Sequence, residues 1–439
     1  MNISNNLFWR VACIVGVFAM FVTGCAQAPP YPGTTEPPHT VISLHPETTF
    51  QTITGFGAGF NTDEYIKKIY KPEDREQAYA LLYGPQENGV RLNIVRLVVS
   101  NTTQELSASS LLYAQGFKYD WGGDPNTQKM WSAIQPVLSI AKPIIYAVPF
   151  TPPIIWKRAT TEHSYNTKCN PQLDLRACGG ELNPNHYQDY AEYLADFVDF
   201  YHRIFKVDID VLSLQNEPGI AATWPSCLWS GEQMRIFLPI LKSAISARGL
   251  NTKMMLSEGT AWTGAWTHLL PSLLDSNTLP LINIMASHSY GQPQDTGRLL
   301  FAAASDKYKL PVWMSEMSLM QPPENDDPTM KAALRVADYI HRDVVYGRAS
   351  AWIYCFAIFT YTFPGSMGVL SPADNPDAEG ALVIPKRFWA MANYSQFVQP
   401  RWKVMQVEGS AKSIPLTNTN TTAFISPNSD GFVIVAINP

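Results

Sequence analysis

Short apolar runs of strand character alternate along most of this chain with longer segments whose apolar residues recur at helical spacing. The strand candidates are 53–60, 94–99, 144–150, 211–215, 254–257, 282–288, 312–315 and 351–356. The clearest helix opens at Asn183 as N-cap, with Pro184 at the first helical position. Its stripe runs Tyr187, Tyr190, Ala191, Leu194, Phe197, Val198, Tyr201, Ile204 and Phe205. Segments 231–248 and 328–346 read the same way. Eight strands with helices between them predict an α/β fold of the (β/α)8 TIM-barrel kind. A doubly wound sheet would want a Gly-rich phosphate turn opening a helix, and Gly55, Gly57 and Gly59 are not followed by one with that pocket chemistry.

The period changes after Val398. Segments 402–409, 422–431 and 432–438 read as strands, with a hairpin turn at 428–431. A barrel over 50–398 and a small β-sandwich module over 399–439 are therefore expected, with a strand at 40–49 joining the module. The last apolar strand runs to the final residue, which reads as a module cut short.

The first 25 residues read as a signal peptide. Arg10 supplies the positive charge, 11–22 is an apolar core too short to span a membrane, and Val22-Thr23-Gly24-Cys25 follows. That ending resembles the lipobox of bacterial lipoproteins, in which Cys25 would carry the lipid. Segment 26–39, rich in Pro, Gly and Thr, reads as a linker. The chain is thus expected to be exported, as a cell-envelope lipoprotein or a secreted protein, touching membrane only through that anchor.

Cys169, Cys178, Cys227 and Cys355 remain, and four cysteines allow three pairings. Cys169–Cys178 is the favoured disulfide, because the pair flanks a loop with Pro171 and Gly179-Gly180 nearby. Cys355, in an apolar run, reads as a buried free thiol. No metal is expected: there is no CxxC, and none of the 8 His stands at ligand spacing from a Cys or another His. No cofactor is expected either. A net charge of −5 without a Lys/Arg cluster argues against nucleic acid. Only 16% of residues are charged while 12% are aromatic, which suits an exported monomer handling a neutral polymer such as an oligo- or polysaccharide.

The chemistry gathers where the strands end. Those ends carry Arg96, Trp156, Asn216-Glu217, Glu258, His288 with Tyr290, Glu316 and Trp352. Pro218 pushes Glu217 out of helical geometry into an extended one, leaving a carboxylate at the tip of the fourth strand. Taken singly, Arg96 reads equally as a core salt-bridge partner, Trp352 as packing and His288 as a satisfied core histidine. Together, two carboxylates facing each other across a barrel mouth suit glycosidic cleavage, which needs one protonated and one ionised carboxyl. An Arg beside one keeps it ionised, and desolvation near Trp keeps the other protonated.

In order along the chain, QTITGFGAGF (51–60), FTPPIIWKR (150–158), SLQNEP (213–218), SHSYG (287–291), WMSEMS (313–318) and KRFWAMANYSQFVQPRW (386–402) resemble glycoside hydrolase family 30 of retaining (β/α)8 glycosidases. The resemblance runs over 40–439. It implies that Glu217 is the acid/base and Glu316 the nucleophile, with Asn216 on the sugar 2-hydroxyl and Arg96 and Tyr290 hydrogen-bonded to the nucleophile. It also implies that Trp156 and Trp352 line the −1 sugar site with His288 beside it. Where the family often carries Ser-Pro-Trp-Ser, this chain has Val148-Pro149-Phe150-Thr151. Glu258 ranks second as nucleophile, one strand from Glu217 rather than three. SCLWSGEQ (226–233) and 386–402 look most like the xylanase branch, implying endo-acting cleavage of a β-linked plant polysaccharide. Glucosylceramidase and endo-β-1,6-glucanase activities occur in the same family. A non-catalytic surface sugar-binding lipoprotein is the reading of another class.

Overall fold

The computed structural model describes residues 10–14, 42–60, 63–69, 71–291, 295–320, 329–362, 365–372, 382–409 and 420–438. Cys25 and the linker 26–39 lie outside the described residues.

Eight parallel strands close into a barrel. They are β1 (Gly55–Phe60), β2 (Ile94–Val99), β3 (Ile144–Pro149), β4 (Val211–Ser213), β5 (Lys253–Gly259), β6 (Ile284–His288), β7 (Val312–Met317) and β8 (Ala349–Tyr354). Each pairs with its sequence neighbours, and β8 returns to β1. Each is followed by a principal helix: α1 (Pro72–Tyr83), α2 (Pro125–Ile140), α3 (Tyr187–Phe200), α4 (Gly231–Ala247), α5 (Trp262–Leu274), α6 (Asp295–Tyr308), α7 (Lys331–Val345) and α8 (Lys386–Ser395). All eight predicted strands are present.

Strand alternation divides the core in two. Ile94, Tyr146, Val211, Met255, Trp313 and Ile353 belong to the plug filling the barrel. Their neighbours in sequence, such as Val95, Leu212, Met314 and Trp352, join the larger layer under the helices. The long predicted helix at 183–205 begins as a tight turn (Pro184–His186) and runs as α3. It then widens into a π turn over Tyr201–Phe205 before Lys206, at φ +58°, ends it. At α4, Ser230 and Gln233 cap each other reciprocally.

A second sheet stands beside the barrel. Its order is Arg10–Ile14, Phe432–Ile437, Thr421–Ile425, Lys403–Gly409, Ile42–Thr52. The strand before the barrel thus runs on to Thr52, and it pairs antiparallel with Lys403–Gly409. Arg10–Ile14, inside the segment read as a signal peptide, lies parallel to Phe432–Ile437 at one edge. Among the described residues no helix is long and apolar enough to cross a membrane.

Candidate active site

The C-terminal ends of the strands enclose a cavity of about 390 Å³ whose wall includes Phe150, Asn216, Glu217, Trp224, Tyr290 and Glu316. A larger hollow, about 690 Å³, lies at the opposite end, among Asp208, Asp210, Lys253, Asn283 and Pro311. Barrel enzymes place their chemistry at the C-terminal face, and only the first cavity holds two facing catalytic-type carboxylates.

Simple alternation would not aim these side chains correctly. On β7, Trp313 faces inward, so Ser315 should follow it and Glu316 should point out. The pairing of β6 with β7 slips by one residue, from Ser287↔Met314 to His288↔Glu316, and the slip turns Glu316 into the cavity. On β5 the pairing with β6 skips Glu258. Ser257 and Glu258 have φ of +108° and +49°, and Ser257 turns its hydroxyl onto the Ala265 carbonyl (2.6 Å) while Glu258 swings under the cavity. Glu217 is not extended as its proline neighbour suggested. Its φ is +46°, a left-handed conformation held by its amide donating to the Glu258 carbonyl at 3.0 Å.

Glu316 is the heavily supported carboxylate. Arg96 Nη2 lies 2.7 Å from Oε2, and the Tyr290 hydroxyl donates to Oε1 at 2.9 Å. Burial pushes its carboxyl up, but Arg96, His288 and the Tyr290 hydroxyl outweigh that and hold it below the ordinary glutamate range. The same Arg96 Nη2 donates to Asn216 Oδ1 at 2.6 Å. Glu217 meets one ring nitrogen of His288 at 3.2 Å. An oxygen of Glu217, an oxygen of Glu316 and a ring nitrogen of His288 all lie within 4.8 Å of one another.

His288 is wholly buried. Burial pushes its pKa down, yet Glu316, Glu217 and Glu258 drive it up to about 9, so the ring is a cation at neutral pH. In that state the ring is a charged proton donor set between the carboxylates of Glu217 and Glu316. Glu258, the second-ranked nucleophile, does not line the cavity. It is fully buried and accepts from the Tyr146 hydroxyl.

Two expected sugar-site residues stand elsewhere. Trp352 follows the outward register of β8: Ala351 and Ile353 enter the plug, whereas the Trp352 indole donates to Asp343 Oδ2 on α7 at 2.9 Å. Trp156 packs on Tyr193 (5.7 Å between ring centroids) and lines a neighbouring cleft of about 680 Å³. Their places at the cavity are taken by Phe150, Trp224 and Cys355. Phe150 stands where the chain departs from the family's usual Trp, and the Arg96 guanidinium sits 5.5 Å from its ring centroid. Alternation from Tyr146 through Val148 was signal enough to aim it inward. Trp224 is 45% exposed on the loop after β4, where no periodicity operates. Cys355 is free and buried as expected, and it also borders the cavity. Cys169 and Cys178 form a disulfide, with Cα atoms 5.6 Å apart.

No family profile matches the chain. Glucuronoxylanase XynC of Bacillus subtilis is 26% identical over 318 residues, which are 72% of this chain and 65% of that protein. The chain therefore spans just under two thirds of the length of the curated relatives it matches. Among solved structures, the catalytic domain of GH30 xylanase C from Talaromyces cellulolyticus superposes with a TM-score of 0.67 at 22% identity, over 88% of this chain and 84% of the other. The endo-β1,6-glucanase BT3312 gives 0.69 at 17% identity, over 88% and 85%. The chain is thus similar in sequence to a glucuronoxylanase and shares its fold with a GH30 xylanase and an endo-β1,6-glucanase. What the likeness to the solved structures shows is the fold, a closed (β/α)8 barrel.

Proposed function

We propose that this protein is an exported retaining β-glycosidase of glycoside hydrolase family 30, with Glu316 as nucleophile and Glu217 as acid/base, cutting a β-linked polysaccharide of xylan type from within. The observation that carries the reading is the approach of the two carboxylates to within 4.8 Å in one cavity, with Arg96 paired to Glu316. Retaining enzymes keep the pair roughly 5–5.5 Å apart, whereas inverting ones leave about 6.5–9.5 Å for a water. Held ionised by Arg96 and Tyr290, Glu316 attacks the anomeric carbon as Glu217 passes a proton to the leaving oxygen. Glu217 then takes a proton from the water that releases the glycosyl-enzyme. Asn216 accepts Arg96 through Oδ1, which turns its amide nitrogen toward a sugar hydroxyl; Phe150 and Trp224 offer apolar faces to the ring. The xylan preference rests on the likeness to the Bacillus glucuronoxylanase. Export rests on the amino-terminal sequence.

Digests of xylan, glucuronoxylan, β-1,6-glucan and glucosylceramide, read by product size, test the substrate. Short xylo-oligomers of mixed length are expected from the first two. Release from the glucan or the lipid alone would move the substrate to another branch of the family. Release from none would overturn the enzyme reading in favour of a sugar-binding protein, and activity persisting in Glu316→Gln would overturn the assignment of Glu316 as nucleophile.

A further inference from the structure

Glu258 is the third carboxylate of the centre, and the mechanism above gives it no task. It lies beneath the cavity with no exposed surface, on the extra residue of the β5 bulge. Three paths lead from it to the reacting pair. Its Oε1 accepts the Tyr146 hydroxyl, and that hydroxyl oxygen accepts Arg96 Nε at 3.3 Å, from the same guanidinium that holds Glu316 and Asn216. Its Oε1 also stands 3.6 Å from His288 Nε2, while the other ring nitrogen faces Glu217 at 3.2 Å. Its backbone carbonyl holds the Glu217 amide.

The groups facing Glu258 are Arg96 on β2, Tyr146 on β3, Ser213 on β4, His288 on β6 and Glu316 on β7, with Glu217 just beyond β4. Arg96 already has Glu316 in direct contact at 2.7 Å, whereas His288 stands 4.0 Å from Glu316 and closer to Glu258. Removing the charge of Glu258 therefore falls first on His288. A glutamine would keep the shape and an acceptor for Tyr146 but lose that charge.

We propose that Glu258 is a positioning residue of the centre: its buried carboxylate orients the His288 ring between Glu217 and Glu316 and, through Tyr146, seats Arg96 on Glu316 and Asn216. The proposal rests on the catalytic reading of Glu217 and Glu316, but one of its readouts needs no turnover.

Nitrogen-15 histidine labelling of the full chain, with the His288 signal assigned by its loss in His288→Gln, follows the ring through a pH titration. The wild-type ring is expected to deprotonate near pH 9. In Glu258→Gln that midpoint should fall by about one pH unit or more, and in Glu258→Asp it should stay near the wild-type value. On the substrate found in the panel, Glu258→Gln should lower kcat about 10²-fold with KM within about twofold, and Glu258→Asp should recover part of the loss. An unmoved His288 midpoint in Glu258→Gln overturns the proposal, even if kcat falls together with Tm. Should that variant fail to fold, a wild-type His288 already neutral at pH 7 overturns it equally. A wild type that turns over nothing sinks the catalytic reading alone, since the titration still decides whether Glu258 governs His288.

Discussion

Tyr290 and Arg96 show how single side chains divide two chemically identical carboxylates into different roles. Glu316 has a guanidinium on one oxygen and a phenol on the other, while Glu217, among the described residues, meets the His288 ring. Removing the phenol from Glu316 in Tyr290→Phe raises the carboxyl's pKa, because a hydrogen bond to the ionised form is lost. An ionised Glu316 is the form that attacks, so the acidic limb of the kcat/KM profile should move to higher pH. A loss in kcat of about ten- to a hundredfold is expected, from one charge-assisted hydrogen bond of roughly 1.5–3 kcal/mol. A profile whose acidic limb stays in place would remove Tyr290 from the set. Asn216, Glu217, Tyr290 and Glu316 were legible in the sequence because they stand at or just beyond strand ends, where a barrel gathers them. Arg96 lies within β2, and its pairing with the nucleophile came from the family resemblance. The exact aim of these side chains was not legible, because it depends on left-handed backbone at Ser257, Glu258 and Glu217, which no side-chain pattern encodes.

At the scale of elements, strand alternation was the reliable signal and its interruptions carried the chemistry. Alternation alone sends Trp352 outward, since Ala351 and Ile353 point in; the expectation that it lines the sugar site gave the residue type precedence over its register. Its indole instead joins the Trp262 indole, the Ser289 hydroxyl and Arg298 in donating to the buried Asp343, tying β8 to α7. Trp352→Phe should therefore cost about 1–3 kcal/mol of stability by leaving part of that carboxylate unsatisfied, with KM unchanged. Thermal unfolding and steady-state kinetics check this, and a raised KM at wild-type Tm would return Trp352 to the cavity. The loops behave differently. Lys157, buried beyond β3, donates to the Ser226 carbonyl (2.7 Å), the Ala177 carbonyl (3.3 Å) and the Thr151 hydroxyl (2.8 Å). It thus pins the disulfide loop and the loop carrying Trp224 to the base of the cavity wall. Lys157→Met should raise KM severalfold while leaving kcat nearly unchanged, because the wall moves and the carboxylates do not. No periodicity marked Lys157, since its partners lie in loops and at the end of a single 3-10 turn.

Across the whole molecule, the barrel and the second sheet meet through a titratable contact. His341, on the face of α7 that packs against the sheet, has its Nδ1 2.7 Å from the Thr422 hydroxyl. Burial pushes its pKa down to about 4. The unfolded chain binds a proton there near pH 6.5 and the folded one does not, so its contribution is complete above 6.5 and declines as pH falls toward 4. The size at stake is about 3 kcal/mol. His288 acts in the opposite sense. Raised to about 9 by its three carboxylates, it contributes stability that is complete below pH 6.5 and is lost as pH rises through 9. Two buried histidines with opposite displacements place the stability maximum near pH 6–7. Tm measured from pH 4 to 10 should trace that dome, and His341→Gln should flatten its acidic side between pH 6.5 and 4 while leaving the alkaline side intact. An acidic side equally steep in the variant would assign the loss to the carboxylates that the fold keeps ionised, Glu316 and Glu258, whose contributions fade only below about pH 4.5.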